Sequence, residues 1–242
     1  MTDPSRSYDR SPSEMRPVTI EPGFVKTADG SALISIGGTR VICTASVSSK
    51  VPRWMEGRGT GWVTAEYSML PASTGERKAR DVTKGKVDGR SVEIQRLIGR
   101  SLRVGVDFEA LGERSVYVDC DVLEADGGTR CAAITGGYVA LHQALSALTD
   151  AGEIERFPLV TSIAAISVGV VDGHSLCDLD YPEDSRAEVD ANVVMTGNGG
   201  LIEVQATAEQ TPLSRASLDG LLEMAEVAIG SLGEVQREAT GS

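Results

Sequence analysis

The sequence predicts an α+β fold in which strand hairpins carry helices on one sheet face. Three glycine-turned strand pairs, two helical stripes set between strand groups and a helical stripe near the end support it. No Pro- or Gly-rich linker divides the chain, so residues 1–242 read as a single domain. Residues 1–16 are polar and read as a flexible or partner-docked N-terminal arm.

Residues 18–20 read as a short strand. Residues 32–36 and 41–47 are rich in β-branched side chains and flank Gly37-Gly38, a hairpin pattern. Residues 61–67 read as a further strand, and residues 72–89 as a polar loop of a length commonly tied to function. Ile94, Leu97, Ile98 and Leu102 then follow helical spacing, with Ser91 as the expected N-cap. Val116, Val118, Cys120 and Val122 alternate along a strand. After the turn at residues 126–130, Ile134, Tyr138, Leu141, Leu145 and Leu148 form a second helical stripe. Residues 163–171 and 176–181 flank Asp172-Gly173, and residues 192–196 and 201–207 flank Gly197–Gly200, giving two more hairpins. Leu218, Leu221, Leu222, Ala225, Ile229 and Leu232 predict the final helix.

The 242 residues are 41% hydrophobic and 24% charged, ordinary for a folded domain. No apolar run approaches the ~20 residues of a membrane span, and the first sixteen residues hold no apolar signal segment. Cys43, Cys120, Cys131 and Cys177 are scattered, which predicts reduced, buried thiols in a cytoplasmic protein. His142 and His174 are thin material for a histidine-based mechanism and read as packing or solvent positions. The net charge of −12 argues against a globally basic nucleic-acid surface. Yet residues 76–103 hold nine bases against four acids, a stripe suited to an anionic ligand.

Three segments carry candidate chemistry. Gly127-Gly128-Thr129-Arg130 precedes a helix, where free N–H groups and the helix dipole favour an anion, and Arg130 can grip phosphate bidentately. Gly89-Arg90-Ser91 repeats the arrangement at the other helix start. Six carboxylates, Asp178, Asp180, Glu183, Asp184, Glu188 and Asp190, fall within thirteen residues and could bind Mg²⁺ or Mn²⁺ or form a solvated loop. Asp178 and Asp180 read as sharing a face at a strand end, and Glu183 as a partner for Arg186. Two anion-binding arginines, a cation site and a basic stripe are the components of phosphoryl transfer on a polyanion.

The order and spacing of Met15-Arg-Pro-Val, Gly61-Trp-Val-Thr-Ala-Glu-Tyr, Gly89-Arg, the run from Glu93 to Arg103, the run from Asp119 to Arg130, and Glu183-Asp184 with Glu188-Val-Asp190 resemble bacterial ribonuclease PH over nearly the whole chain. The resemblance implies a ribosomal protein S5 domain 2-like fold and a phosphate-dependent 3′→5′ exoribonuclease. Such an enzyme trims tRNA precursors, releases nucleoside diphosphates and adds nucleotides in reverse. It also implies a homohexamer built as a trimer of dimers, with inorganic phosphate as co-substrate. By motif, phosphate falls to Arg90, Gly128, Thr129 and Arg130, the metal and catalysis to Asp184 and Asp190, and RNA binding to Arg77 and Arg80. Ala72, Ala191 and Ala206 depart from the family's usual residues, and Gly→Ala at 206 requires a negative φ. Two rivals stand beside this reading. One is a hydrolytic metal-dependent exonuclease releasing monophosphates; the other is a catalytically weak ring subunit that binds RNA.

Overall fold

The computed structural model describes residues 6–80, 83, 85, 86, 88–209 and 212–242. Asp81, Val82, Lys84 and Val87, which belong to the predicted polar loop, lie outside the described residues. The first sheet takes β1 (Val18–Pro22), β2 (Gly30–Ile36), β3 (Thr39–Ser48), β4 (Trp62–Met69) and β5 (Ser115–Glu124), in the order β1-β2-β3-β5-β4. Its pairings are antiparallel except β4 with β5, which run parallel. A parallel pair needs a crossover, supplied by α1 (Gly89–Val104) and α2 (Phe108–Leu111). Helix α1 starts at Gly89, two residues before the predicted cap at Ser91.

After β5 come α3 (Thr129–Asp150), β6 (Ile163–Val171), β7 (His174–Cys177), α4 (Tyr181–Asp184), β8 (Val189–Thr196), β9 (Leu201–Ala208) and α5 (Arg215–Thr240). The second sheet is antiparallel, in the order β7-β6-β8-β9. Its chain order explains the hairpin signals, since β6–β7 and β8–β9 turn on the predicted glycines.

The expectation of helices on one sheet face holds for the first sheet only. There, α1 and α3 cover the face formed by residues such as Val116, Val118 and Cys120, while Tyr117 and Asp121 look outward. In the second sheet, Ile163, Ala165 and Val194 meet α3, whereas Ala164, Ile166, Val193 and Met195 meet α5. Strands covered on both faces read as continuous apolar runs, which is why residues 163–171 lack alternation. Helix α3 is buried nearly all round, from Thr129 to Leu148. Small residues permit it: a Cβ on Gly136 would lie 2.7 Å from Ile34 and 3.0 Å from the Cys43 sulfur.

The described part of the N-terminal arm, residues 6–16, is packed onto the chain's own second sheet. Arg6, Arg10 and Arg16 are 6%, 6% and 1% exposed, and each pairs with a carboxylate between residues 178 and 183. A charged side chain is buried this deeply only when paired. The flexible or partner-docked arm read from the sequence is corrected accordingly for these residues. Cys43, Cys120, Cys131 and Cys177 are free and buried. His142 packs against Tyr138 and Phe157, and burial lowers its affinity for a proton.

Candidate active site

Chain direction brings two helix starts and one acidic segment together. Gly127 and Gly128 both have left-handed backbone, at φ 77° and 64°, and Gly128 caps α3. Gly127 has no alternative in this packing, because a Cβ there would sit 2.4 Å from the carbonyl oxygen of Leu179. The turn therefore delivers Thr129 and Arg130 to the first turn of α3, with its unpaired N–H groups. Thr129 is 7% exposed and its hydroxyl accepts a 2.9 Å hydrogen bond from the Tyr67 phenol on β4. Burial pushes the Tyr67 phenol up, so it stays a donor. Arg130 donates to the Gln205 side-chain oxygen on β9 at 3.0 Å and lies 3.8 Å from the Glu93 carboxylate on α1. The Gln205 amide in turn donates to Glu93 and Glu203 at 3.2 and 3.0 Å.

Asp190 sits on β8, opposite Thr207 of β9. It lines a cavity of about 520 Å³ with Arg130, Glu93, Asn192, Gln205 and Thr207. Its carboxyl is pushed above the ordinary aspartate range by burial first and then by the Asp184 charge, against the pull of Arg130 and Arg90. One carboxylate thus feels both predicted arginines and the second predicted acid. Asn192 donates weakly to Asp190 at 3.5 Å and accepts from the Cys131 thiol at 3.3 Å. Asp184 is exposed at the end of α4, and Arg90 is exposed on the first turn of α1.

The acidic run divides. Asp178 and Asp180 do not share a strand face, because β7 ends at Cys177 and Asp178 takes a left-handed backbone at φ 54°. Asp178 binds Arg16, Asp180 forms a capping box with Glu183 at the start of α4, and Glu183 binds Arg6 at 2.7 Å. Arg186 pairs instead with Asp172 at 3.3 Å. Glu188 accepts the Gly173 N–H at 2.9 Å, Asp184 is exposed at the end of α4, and Asp190 lines the cavity. Arg77 and Arg80 are exposed away from it, with Arg80 lining a separate cavity of about 550 Å³ beside Lys78, Glu66 and Asp121. The substituted residues leave the site intact. Ala191 points into the core against α5, and Ala206 lies in β9 outside the set of non-glycine residues with positive φ.

Tyr67, Glu93 and Gln205 are the site residues that pattern reading passed over. Tyr67 is buried on β4, and a phenol within a strand is the signal that could have found it.

Residues 14–146 match the 3′ exoribonuclease family, domain 1, and residues 161–228 match domain 2 of the same family. The chain is 57% identical to the Ribonuclease PH of Roseobacter denitrificans over 235 residues, covering 97% of this chain and 99% of the relative.

The chain belongs to the ribonuclease PH family.

A second ribonuclease PH, from Syntrophomonas wolfei, is 56% identical over 98% of this chain and 99% of its own length. Among solved structures, the Archaeoglobus fulgidus exosome with RNA bound to its active site matches with a TM-score of 0.79. That match is 21% identical and covers 95% of this chain and 91% of the other, and it supports the fold alone. As a ribonuclease PH, this chain is a phosphate-dependent 3′→5′ exoribonuclease and nucleotidyltransferase, in a family whose role is tRNA processing. No helix among the described residues is long and apolar enough to cross a membrane.

Proposed function

We propose that the cavity around Asp190 is the phosphorolytic centre, with inorganic phosphate held by Arg90, Gly128, Thr129 and Arg130. Phosphate attacks the terminal 3′,5′-phosphodiester of a tRNA precursor and releases a nucleoside diphosphate. Phosphate enters as an anion, so no general base is required; positioning and charge supply the catalysis. Tyr67 orients the Thr129 hydroxyl, and Gln205 with Glu93 holds Arg130 before phosphate arrives. Asp184 and Asp190 form the acidic side, from which the departing ribose 3′ oxygen takes its proton.

A divalent cation fits this site. Magnesium commonly takes one or two carboxylates and completes its shell with substrate oxygens and water, and Asp190 supplies one such carboxylate on the cavity wall. No group of three or more His, Cys, Asp or Glu side chains is arranged as a metal site among the described residues. Asp184 and Asp190 would hold Mg²⁺ or Mn²⁺, which when bound supplies neutralisation of phosphate charge.

Arg77 and Arg80 bind RNA outside the cavity, and a homohexameric ring of dimers gathers six such surfaces around one substrate. Four free, buried thiols support a cytoplasmic setting. The hydrolytic reading loses support because the family is phosphate-dependent. The inactive-subunit reading loses support because Arg90, Arg130, Asp184 and Asp190 are all present.

The observation that carries the proposal is the Gly127-Gly128 turn, which sets Thr129 and Arg130 at the start of α3 with Arg130 and Asp190 lining one cavity. The test supplies Mg²⁺ and a tRNA with a short labelled 3′ tail, with and without phosphate, to the wild-type chain and to Arg130→Lys. Diphosphates formed only with phosphate, and a raised phosphate KM in Arg130→Lys, are expected. An unchanged phosphate KM would remove Arg130 from the phosphate site.

A further inference from the structure

Of the three buried arginines that this chemistry leaves unused, Arg16 lies between two parts of the site. Arg16 sets its guanidinium side-on to Asp178, with Nε to Oδ2 at 2.8 Å and Nη2 to Oδ1 at 2.7 Å. The same carboxylate accepts the Arg16 backbone N–H at 2.8 Å. Its remaining nitrogen, Nη1, donates to the carbonyl of Asp126 and faces the Asp126 carboxylate at 3.5 Å. Asp126 opens the Gly127-Gly128 turn, and its carboxylate accepts the backbone N–H of Tyr181, the first residue of α4, at 3.4 Å. One guanidinium therefore binds the turn before α3 on one side and the segment leading into α4 on the other.

Packing ties the same pieces. A Cβ on Gly127 would meet Leu179 and Asp180 backbone, and one on Gly128 would lie 3.5 Å from Arg16 Nη2. Ser167 joins from β6, accepting the Asp178 N–H on its carbonyl at 2.7 Å and the Leu179 N–H on its hydroxyl at 3.1 Å. Asp178 is held at φ 54°, a conformation that a non-glycine residue keeps only when its surroundings impose it.

We propose that Arg16 and Asp178 are a positioning pair that fixes the distance between the phosphate-binding turn and the short helix carrying Asp184. The proposal rests on reading Gly128–Arg130 as the phosphate site and Asp184 as an acid of the same centre. A bidentate guanidinium–carboxylate pair restricts both spacing and angle, which a packed apolar pair does not. Buried ion pairs add little net stability over such apolar packing. Phosphorolysis, by contrast, depends on the relative placement of anion and acid.

The experiment measures phosphorolysis by the full-length chain at saturating labelled RNA while phosphate is varied, with RNA KM and Tm recorded alongside. Arg16→Lys keeps the charge and removes the fork; its phosphate KM is expected to rise about 10-fold while RNA KM stays within about 2-fold. Asp126→Asn, at a side chain 35% exposed and safe for folding, is expected to raise phosphate KM by about 3-fold. A purely structural role would lower Tm and the active fraction but leave phosphate KM unmoved. Unchanged phosphate KM in folded Arg16→Lys and in Asp126→Asn overturns the proposal, and should Arg16→Lys fail to fold, Asp126→Asn alone decides. Nucleotide release by the wild type without phosphate would instead overturn the reading of the site beneath it.

Discussion

Glu183 and Asp184 are neighbours in sequence with opposite surroundings. Glu183 is 4% exposed, accepts two hydrogen bonds from Arg6 and one from Arg10, and completes a capping box. Asp184 is exposed at the end of α4, and its charge helps raise the Asp190 carboxyl. The same contrast runs through the acidic segment: Asp178, Asp180 and Glu183 are paired with the N-terminal arginines, whereas Asp184 is exposed and Asp190 lines the cavity. A carboxylate's role here is decided by its partner rather than by its place in the run.

The largest effect expected from breaking this division lies on the structural side. Arg6→Met leaves Glu183 buried without its main partner and should cost about 3–5 kcal/mol in urea unfolding. Acid should act on the same side. Asp178 has its carboxyl held below the usual range: burial pulls it up, but hydrogen bonds and charge from Arg16 outweigh that. Its contribution is then complete above about pH 4 and lost as pH falls further.

Next in size is the chemical side. Asp190→Asn should reduce turnover by about 10² or more, with unfolding free energy within about 1 kcal/mol of wild type. Chelation of divalent cations should reduce phosphorolysis and be reversed by added Mg²⁺, with RNA binding measured separately. A smaller change is expected at Tyr67→Phe. Losing the bond to Thr129 costs about 1 kcal/mol, read as a several-fold rise in phosphate KM. Smallest is Arg80→Ala, which should flatten the salt dependence of RNA binding by about 0.7 in log–log slope if it contacts one phosphate.

Most elements were legible in the sequence because turn glycines and apolar spacing are local signals. The two helix starts at Gly89-Arg90 and Gly128-Arg130 were legible for the same reason, since loop-to-helix transitions advertise free N–H groups. The division of the acidic run was not. Arg6 and Glu183 are 177 residues apart, and no local pattern announces such a pair. Gln205 was hidden likewise, since its approach to Arg130 depends on how β9 lies across α1 and α3. The near-complete burial of the first half of α3 was masked by its alanines and glycines, which read as weakly apolar although close packing requires them.

The most direct test sets Glu183→Gln beside Asp184→Asn, each measured for unfolding free energy and for phosphorolytic turnover per folded molecule. Glu183→Gln is expected to lose several kcal/mol, about 3 or more, while its folded fraction keeps near-normal turnover. Asp184→Asn is predicted to keep wild-type stability and lose turnover by about 10-fold or more. Equal losses in both variants, or the reverse assignment, would contradict the division of the acidic run on which the mechanism stands.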